Sequence, residues 1–188
     1  MTGAPGGLSI REIRFADLPA VIELVGRCDR TYLDWAPAGW QPPALAWYRE
    51  SWEHRLGQAD TWARGAFGPG GELAAVVGLR QDRTSDGRLR PGVAQVFALF
   101  VDPGRWRTGV GSALLALAER EIAARGFGQA ALWTPEGAPA RRFYEAQGWR
   151  ASGARTFFER LGLPLVRYEK RIEGVETARP RPNHKGES

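Results

Sequence analysis

Residues 96–125 read VFALFVDPGRWRTGVGSALLALAEREIAAR, and this stretch decides the fold. It opens with an unbroken apolar run, residues 96–101, whose β-branched and aromatic content predicts a buried strand. Asp102-Pro103-Gly104 ends that strand, because proline and glycine interrupt regular structure. Apolar residues then recur at helical spacing, and Gly126 follows where a helix takes a left-handed residue. The stretch therefore predicts a strand, a glycine-rich turn and a helix.

The turn between this strand and this helix predicts an anion-binding site. A helix N-terminus leaves its first backbone N–H groups without partners and carries the positive end of the helix dipole. Gly109 and Gly111 keep side chains away from those groups, so a phosphate can approach them. A P-loop does not fit, because Ser112-Ala113 follows the last glycine. A dinucleotide fingerprint does not fit either, because Leu114 stands where the third glycine would be.

Composition and charge are those of one globular domain with an anionic ligand. The 188 residues are 43% hydrophobic and 25% charged, and the net charge of +5 favours phosphate-rich ligands or nucleic acid. The one cysteine, Cys28, excludes an internal disulfide and forms no metal-ligand cluster with the two histidines. No apolar run is long enough for a signal peptide or a membrane span, so we expect a cytoplasmic protein that does not bind membranes.

The rest of the chain predicts a mixed, mostly antiparallel α/β sheet with helices on both faces. We expect one domain over residues 8–173, flanked by a disordered N-terminus (1–7) and a disordered tail (174–188). The polar segment 81–92 is expected to be an exposed loop. Further strands are predicted over residues 8–15, 62–67, 73–79, 127–134, 154–158 and 165–171, and further helices after residue 17 and over residues 44–56 and 139–146.

Two segments resemble the GCN5-related N-acetyltransferase (GNAT) family. Val101-Asp102-Pro103 with Gly109-Val110-Gly111 is similar to the family's acyl-coenzyme A pyrophosphate loop, although Trp106 replaces the usual Arg or Gln. Residues 140–149, ARRFYEAQGW, are similar to the family's Ala-x-x-Phe-Tyr-Glu-x-x-Gly-Phe/Trp pattern. The resemblance implies a GNAT fold in which acetyl-coenzyme A enters between two diverging parallel strands. It also implies direct transfer of the acetyl group to a primary amine of a small molecule or peptide.

The resemblance further implies the catalytic groups. Tyr144 matches the family's tyrosine and would be the general acid, because a phenol can protonate the leaving thiolate. Gln95 stands where many GNAT enzymes have a glutamate base, so it would at most order a water relay for the proton. Alternatively Glu72, Asp82 or another carboxylate would be the base. An acceptor amine of low pKa would need no strong base.

Acetyl-coenzyme A would be held mainly by backbone groups, which pair with its pantetheine arm, polarise its thioester carbonyl and bind its pyrophosphate. Tyr32, Trp35 and Trp40 would lie on the acceptor side, where they either stack on the acceptor or only pack helices together. The coenzyme-binding residues implied by the resemblance are Leu99, Phe100, Val101, Arg105, Trp106, Arg107, Thr108, Gly109, Val110, Gly111, Ser112, Gly137 and Arg141.

Two other function classes stay open on the sequence alone. One is a GNAT-like module that binds an acyl-coenzyme A without catalysis, and both Gln95 and Trp106 favour it. The other is a nucleic-acid binder, which the net charge favours, although the basic residues are dispersed and no recognised nucleic-acid module is present. GNAT proteins are often dimers, so a homodimer is compatible with the resemblance.

Overall fold

The structure, a computed structural model, describes residues 5–173, and these form one sheet covered by helices on both faces. The strands are β1 (Ser9–Glu12), β2 (Trp62–Phe67), β3 (Leu73–Arg83), β4 (Leu89–Val101), β5 (Gln129–Pro135), β6 (Arg150–Phe158) and β7 (Leu163–Arg171). The helices are α1 (Leu18–Arg30), α2 (Leu45–Leu56), α3 (Val110–Ala124) and α4 (Ala140–Ala146).

The strand order is β1-β2-β3-β4-β5-β7-β6. β4 and β5 are parallel, and every other neighbouring pair is antiparallel. The predicted mixed, mostly antiparallel α/β sheet is therefore confirmed. A parallel pair needs a crossover connection, and α3 with its preceding loop supplies it between β4 and β5.

Two hydrophobic clusters lie on opposite faces of this sheet. On one face, Leu114 and Ile122 of α3 are fully buried in the first cluster. On the other face, Val25 of α1 and Trp52 of α2 belong to the second cluster, together with Val76 of β3. Because helices cover both faces, the central strands need apolar residues on both sides. This explains why the end of β4 reads as a continuous apolar run.

The hairpin between β3 and β4 is longer than the sequence predicts. The expectation of an exposed loop over residues 81–92 is wrong, because β3 continues to Arg83 and β4 already begins at Leu89. Only the turn around residues 84–87 is irregular, with Gly87 at φ 83°. The polar composition of the segment reflects a hairpin that extends beyond the helices, where residues 89–92 of β4 are exposed to solvent.

The two segments predicted to be disordered lie largely outside the described residues. This holds for residues 1–4 and 174–188. Pro5–Gly7 forms a single 3₁₀ turn where the sequence predicted disorder, and Pro5 lies beside Gly109: a Cβ built on that glycine would be 3.7 Å from Pro5 Cγ. None of the helices in residues 5–173 is long and apolar enough to cross a membrane.

Candidate active site

β4 and β5 are paired only over their first part. The parallel pairing runs from Val93 opposite Gln129 to Val96 opposite Leu132, and it stops there although both strands continue. At the same point the register between β3 and β4 shifts, which leaves Phe97 as a bulged extra residue. A gap therefore opens between the two strands, as the resemblance implied, and residues 97–101 of β4 have no strand partner on that side.

The loop from β4 to α3 presents a row of unpaired backbone N–H groups at the end of this gap. Among residues 5–173, no acceptor is bound to the N–H groups of residues 107 through 112. Arg107 has φ 63° and Gly109 has φ 85°, and successive residues in such turns can direct their N–H groups toward one anion. The 15-residue α3 adds the positive end of its dipole at the same place. We refer to residues 107–112 as the amide row.

Gly111 allows the first turn of α3 to lie close to its neighbours. A Cβ built on Gly111 would lie 3.4 Å from Val101 Cγ2 and 3.6 Å from Phe143 Cζ, which is ordinary contact. Alanine therefore fits, but any larger side chain would push α3 away from β4 and α4. Gly109 has a different requirement, since its left-handed backbone disfavours any side chain.

Trp106 holds the loop onto the end of β4. Its indole Nε1 donates a hydrogen bond to the Val101 carbonyl over 2.9 Å, while half of the side chain stays exposed. The thiol of Cys28 donates to the same carbonyl over 3.3 Å. Of the three β4 positions expected to bind pantetheine, Val101 thus has its carbonyl already bound, whereas Leu99 and Phe100 lie on the unpaired edge.

The charged side chains of the loop differ in their partners. Arg105 forms an ion pair with Glu72 over 3.8 Å. Arg107 is exposed and has no ion-pair partner in the part of the chain that the structure describes. Thr108 Oγ1 donates to the Arg105 carbonyl over 2.7 Å, which closes the turn. A depression of about 310 Å³ on the α1 side of this loop is lined by Ala20, Glu23, Arg27, Gly71, Glu72, Leu73, Ala74, Asp102 and Arg105.

Tyr144, on α4, is 8% exposed and packs against Phe143, Trp149 and Tyr168, with ring centroids 5.4, 6.3 and 6.1 Å away. Burial raises its pKa above the ordinary value, so the phenol stays protonated at neutral pH. Its hydroxyl makes no hydrogen bond within residues 5–173. In that range, only Thr61 Oγ1 is both unpartnered and sealed from solvent. The Tyr144 hydroxyl is therefore open to accessible space.

The three aromatic residues expected on the acceptor side form one cluster. The Tyr32 ring centroid lies 4.6 Å from that of Trp35 and 5.7 Å from that of Trp40. Trp35 covers Gly137, where a built Cβ would be 3.1 Å from the indole, and Trp40 Nε1 donates to the Leu161 carbonyl over 2.8 Å. The segment after α1 therefore reaches the β5–α4 loop and the β6–β7 turn.

Tyr32 is the member of this cluster whose pKa is shifted. Burial raises the pKa of Tyr32, and the nearby Asp29, Tyr144 and Cys28 raise it further. We refer to Tyr32, Trp35 and Trp40 as the aromatic cluster.

Gln95 is bound to a cation. Its Oε1 accepts hydrogen bonds from Nε and Nη2 of Arg80, over 3.2 and 3.1 Å. The oxygen that would order a water relay is therefore shared with a guanidinium. The relay role of Gln95 stays a prediction.

The two carboxylates considered as substitutes for a base are both paired. Glu72 is exposed and bound to Arg105. Asp82 is 1% exposed and is held by Arg167 over 2.6 Å and by Arg90 over 3.5 Å. Both carboxylates are therefore already occupied by arginine side chains.

Arg141 ties the start of α4 to β7. Its Nη1 donates to the Glu136 carbonyl over 2.9 Å and its Nε donates to the Tyr168 hydroxyl over 3.1 Å. The Tyr168 hydroxyl in turn donates to Glu145 over 2.6 Å. A contact of Arg141 with the coenzyme stays a prediction, and it would have to form without losing these bonds. The neighbouring Arg142 is exposed.

One titratable pair beside the aromatic cluster was not singled out from the sequence. Asp29, at the end of α1, is 2% exposed and accepts a hydrogen bond from the Tyr48 hydroxyl of α2. Burial raises the pKa of Asp29 to about 6, against the smaller lowering effect of that hydrogen bond. Asp29 follows Val25 by four residues and so falls on the apolar face of α1. A carboxylate among the apolar residues of that face was the feature of the sequence that could have identified Asp29 as a buried titratable group.

Comparisons with known proteins agree with this architecture. The sequence matches the model of the acetyltransferase (GNAT) family over residues 25–149. A protein of Desulfovibrio desulfuricans assigned to that family is 21% identical, with a TM-score of 0.66 over 88% of this chain and 99% of the other. The PaiA N-acetyltransferase of Thermoplasma acidophilum, solved with coenzyme A, is 19% identical, with a TM-score of 0.63 over 87% and 98%.

A third similar structure is the ribosomal-protein-S18-alanine N-acetyltransferase of Escherichia coli. It is 19% identical, with a TM-score of 0.62 over 88% of this chain and 94% of the other. At such identities the likeness establishes a common fold. None of the curated proteins matches the sequence significantly.

Proposed function

The chain belongs to the GNAT family of acetyltransferases, and on that premise we propose that it moves an acetyl group from acetyl-coenzyme A to a primary amine by direct attack. The observation that carries this proposal is the amide row at the end of the β4–β5 gap. Unpaired N–H groups at a helix N-terminus bind phosphate oxygens, and the gap offers an open strand edge beside them.

Acetyl-coenzyme A fits this site by charge and by shape. The amide row would hold the pyrophosphate, with the exposed guanidinium of Arg107 adding positive charge. The pantetheine arm would lie along residues 97–101 of β4, like an added strand, with Leu99 and Phe100 on the open edge. The coenzyme A complex of the T. acidophilum neighbour supports the choice of ligand. The substrate supplies an activated acetyl group as its thioester.

Tyr144 is the proposed general acid. Its hydroxyl is open, has no protein partner in the described chain, and stays protonated because burial raises its pKa. The amine nitrogen bonds to the thioester carbonyl carbon, and the carbon–sulfur bond breaks. The thiolate sulfur takes the proton of the Tyr144 hydroxyl, and the nitrogen loses its extra proton, which restores the phenol. A main-chain N–H near the bulge at Phe97 would stabilise the carbonyl oxygen during attack.

The acceptor would reach the thioester from the aromatic cluster, whose Trp35 covers Gly137 in the loop that leads to α4. Aromatic faces attract both flat and cationic groups, so they would orient an amine of either kind. A cytoplasmic location and a homodimer stay predictions from the sequence and the family.

Release of free thiol from acetyl-coenzyme A tests the activity directly. The assay compares a panel of primary amines (polyamines, amino acids, aromatic amines and peptide N-termini), and mass spectrometry detects the added acetyl group. We expect amine-dependent thiol release with at least one class, and loss of that release in Tyr144→Phe. Binding of acetyl-coenzyme A with no amine-dependent release from any class would favour the non-catalytic module instead.

A further inference from the structure

The gap between β4 and β5 begins at two aromatic residues, and an arginine lies over each ring. Phe97 of β4 and Trp133 of β5 directly follow the last pair of residues that joins the two strands. The guanidinium carbon of Arg55, on α2, lies 5.0 Å from the centroid of the Phe97 ring. That of Arg167, on β7, lies 5.6 Å from the centroid of the Trp133 ring. Positive charge therefore flanks the closed end of the gap on both strands.

Arg80 of β3 brings a third guanidinium to the same end of the gap. Its Nε and Nη2 donate hydrogen bonds to Gln95 Oε1 over 3.2 and 3.1 Å. Gln95 and Phe97 lie two residues apart on β4, which is about 7 Å along a strand. Ala94 and Val96 belong to the hydrophobic cluster on the α3 face, whereas Phe97 packs against the cluster on the α2 face. Because successive strand residues point to opposite faces, Gln95 and its arginine lie on the α2 face too.

Arg167 is neutralised by carboxylates, but Arg55 and Arg80 are not. Arg167 is held by Asp82 over 2.6 Å and by Glu169 over 2.7 Å. In residues 5–173, Arg80 forms no ion pair, and the Arg55 side chain makes neither an ion pair nor a hydrogen bond. Both side chains are partly buried, and burial lowers the pKa of Arg55 to about 10, so its guanidinium stays charged at neutral pH. Burial of a charge is unfavourable unless an opposite charge compensates it.

The acceptor has to approach the gap from the face on which these arginines lie. Tyr144, the proposed acid, packs in the hydrophobic cluster on the α3 face, and Phe97 packs against the other cluster. In a direct attack the acid serves the leaving thiolate, and the amine needs a separate path to the carbonyl carbon. The α2 face is the side of the gap that Tyr144 does not occupy.

The phosphates of the coenzyme do not account for Arg55 and Arg80. The amide row, which would bind the pyrophosphate, comes after the end of β4 at Val101. The two arginines contact β4 at the other end of the gap, where the strands begin to separate. The pantetheine arm, which would lie between these two places, is uncharged. A negative charge at the arginines would therefore belong to the acceptor.

We propose that Arg55 and Arg80 bind an oxyanion of the acceptor, and that the enzyme acetylates small primary amines that also carry a carboxylate or a phosphorus oxyanion. This inference rests on the proposed acetyl transfer and names its acceptor class. Guanidinium groups bind both kinds of oxyanion through charge-assisted hydrogen bonds. The thioester carbonyl would lie near the bulge at Phe97, the ring that Arg55 covers, so only a few bonds separate the amine from the anion. An α-amino acid and an aminoalkylphosphonate both have this spacing.

A purely structural role is the competing explanation, because Arg55 also shields the Phe97 ring. Matched pairs of amines separate the two roles, since a structural defect slows both members of a pair, whereas loss of an anion site slows only the anionic one. The pairs are each proteinogenic amino acid with its carboxamide, and aminoethylphosphonate with ethanolamine. The two kinds of pair distinguish a carboxylate from a phosphorus oxyanion.

The variants are Arg55→Met and Arg80→Met, which remove the charge and keep a long side chain. Arg64→Met is the matched control, because the guanidinium carbon of Arg64 also lies over an aromatic ring, 4.8 Å from the Trp62 centroid. Arg64 is on β2, two strands away from β4. Arg55→Lys tests rescue by a second positive charge.

Thiol release gives kcat/KM for both members of each pair in each protein. In the wild type we expect the anionic member of the best pair to be favoured roughly tenfold or more, as a charge-assisted hydrogen bond allows. Arg55→Met should abolish most of this preference by raising KM for the anionic member alone, and Arg80→Met should also reduce it. Arg64→Met should keep the preference, and Arg55→Lys should keep part of it. A neutral or cationic amine as the best acceptor, or a preference that neither Arg55→Met nor Arg80→Met reduces, would overturn the proposal.

Calorimetric titrations keep this inference separate from the proposed function. The protein is saturated with coenzyme A and titrated with both members of each pair. We expect tighter binding of an anionic member to the wild type and equal, weaker binding of both members to Arg55→Met. If the coenzyme binds and no anionic amine binds better than its neutral match, the role of the arginines is overturned alone. If acetyl-coenzyme A itself does not bind, the proposed function is overturned, and this inference with it.

Discussion

The indole of Trp106 is hydrogen-bonded to the carbonyl of Val101 over 2.9 Å. The bond fastens the loop that carries the amide row to the last residue of β4. The family usually has Arg or Gln at this position, yet the contact here is with the protein's own backbone. Trp106, which departs from the family pattern, therefore holds the loop against the protein's own backbone.

Trp106→Phe should weaken acetyl-coenzyme A binding by about fivefold, since one net hydrogen bond is worth roughly 1 kcal/mol. The stability of the fold should change little, because the side chain is 52% exposed. Isothermal titration calorimetry measures the affinity, and denaturant unfolding measures the stability. Unchanged affinity would show that the loop keeps its shape without this bond.

Gly109→Ala should weaken coenzyme binding through the backbone of the amide row. Gly109 has φ 85°, where a side chain costs roughly 1–2 kcal/mol. Gly87→Ala is the matched control, because Gly87 has φ 83°, has open space around it and lies in the distant β3–β4 turn. Both variants should lose similar stability, but only Gly109→Ala should lose affinity. If calorimetric titrations gave Gly109→Ala and Gly87→Ala the same affinity for acetyl-coenzyme A, the amide row would not be part of the coenzyme site.

Tyr144→Phe should lower kcat at least tenfold and leave coenzyme affinity and stability nearly unchanged, because the missing hydroxyl has no protein partner. Tyr168→Phe should do the reverse. Its hydroxyl accepts from Arg141 and donates to Glu145, so its loss unpairs these two side chains while the chemistry continues. Thiol-release kinetics and denaturant unfolding distinguish the two. A Tyr144→Phe variant with the kcat of the wild type would exclude Tyr144 as the general acid.

The stability of the protein should fall between pH 4 and pH 7 because of Asp29. Its pKa rises from an ordinary 3.8 to about 6 in the folded state. The folded state thus binds the proton more tightly than the unfolded chain. The stabilisation is complete below pH 4 and disappears as the pH rises through 6, and two pH units correspond to about 3 kcal/mol.

Asp29→Asn should remove this pH dependence, and unfolding by urea followed by tryptophan fluorescence measures it. Asp17 gives a control of opposite sign: the hydrogen bond from Arg11 lowers its pKa, so its contribution is lost as the pH falls. Parallel curves for the wild type and Asp29→Asn would show that Asp29 is solvated in the folded protein.

The central elements were predictable because their signals are local. An apolar run, a glycine-containing turn and a helical repeat identify β4, the loop and α3, and the segment around Tyr144 identifies α4. The bulge at Phe97 was not predictable, because it depends on the register between two strands. The pairing of Gln95 with Arg80 likewise depends on neighbours across the sheet.

The Asp29–Tyr48 pair shows what the sequence could not reveal. The two residues lie on different helices, and only the packing of α1 against α2 brings them together. The strands at the end of the β3–β4 hairpin, within residues 81–92, were not predicted for another reason. Polar residues also form strands where a hairpin extends into solvent. Local composition predicts which residues are buried. It predicts how strands pair only where one face of the sheet is covered by other elements.

A thermal melt with and without acetyl-coenzyme A tests whether the folded protein binds this coenzyme. At a concentration about a hundred times the Kd, a ligand that binds only the folded state adds ~2.7 kcal/mol. For a domain of this size each kcal/mol raises the midpoint by ~2–4 °C, so the predicted shift is several degrees. A short duplex DNA should give none. An unchanged midpoint with acetyl-coenzyme A would mean that the amide row does not bind the coenzyme and is only a turn.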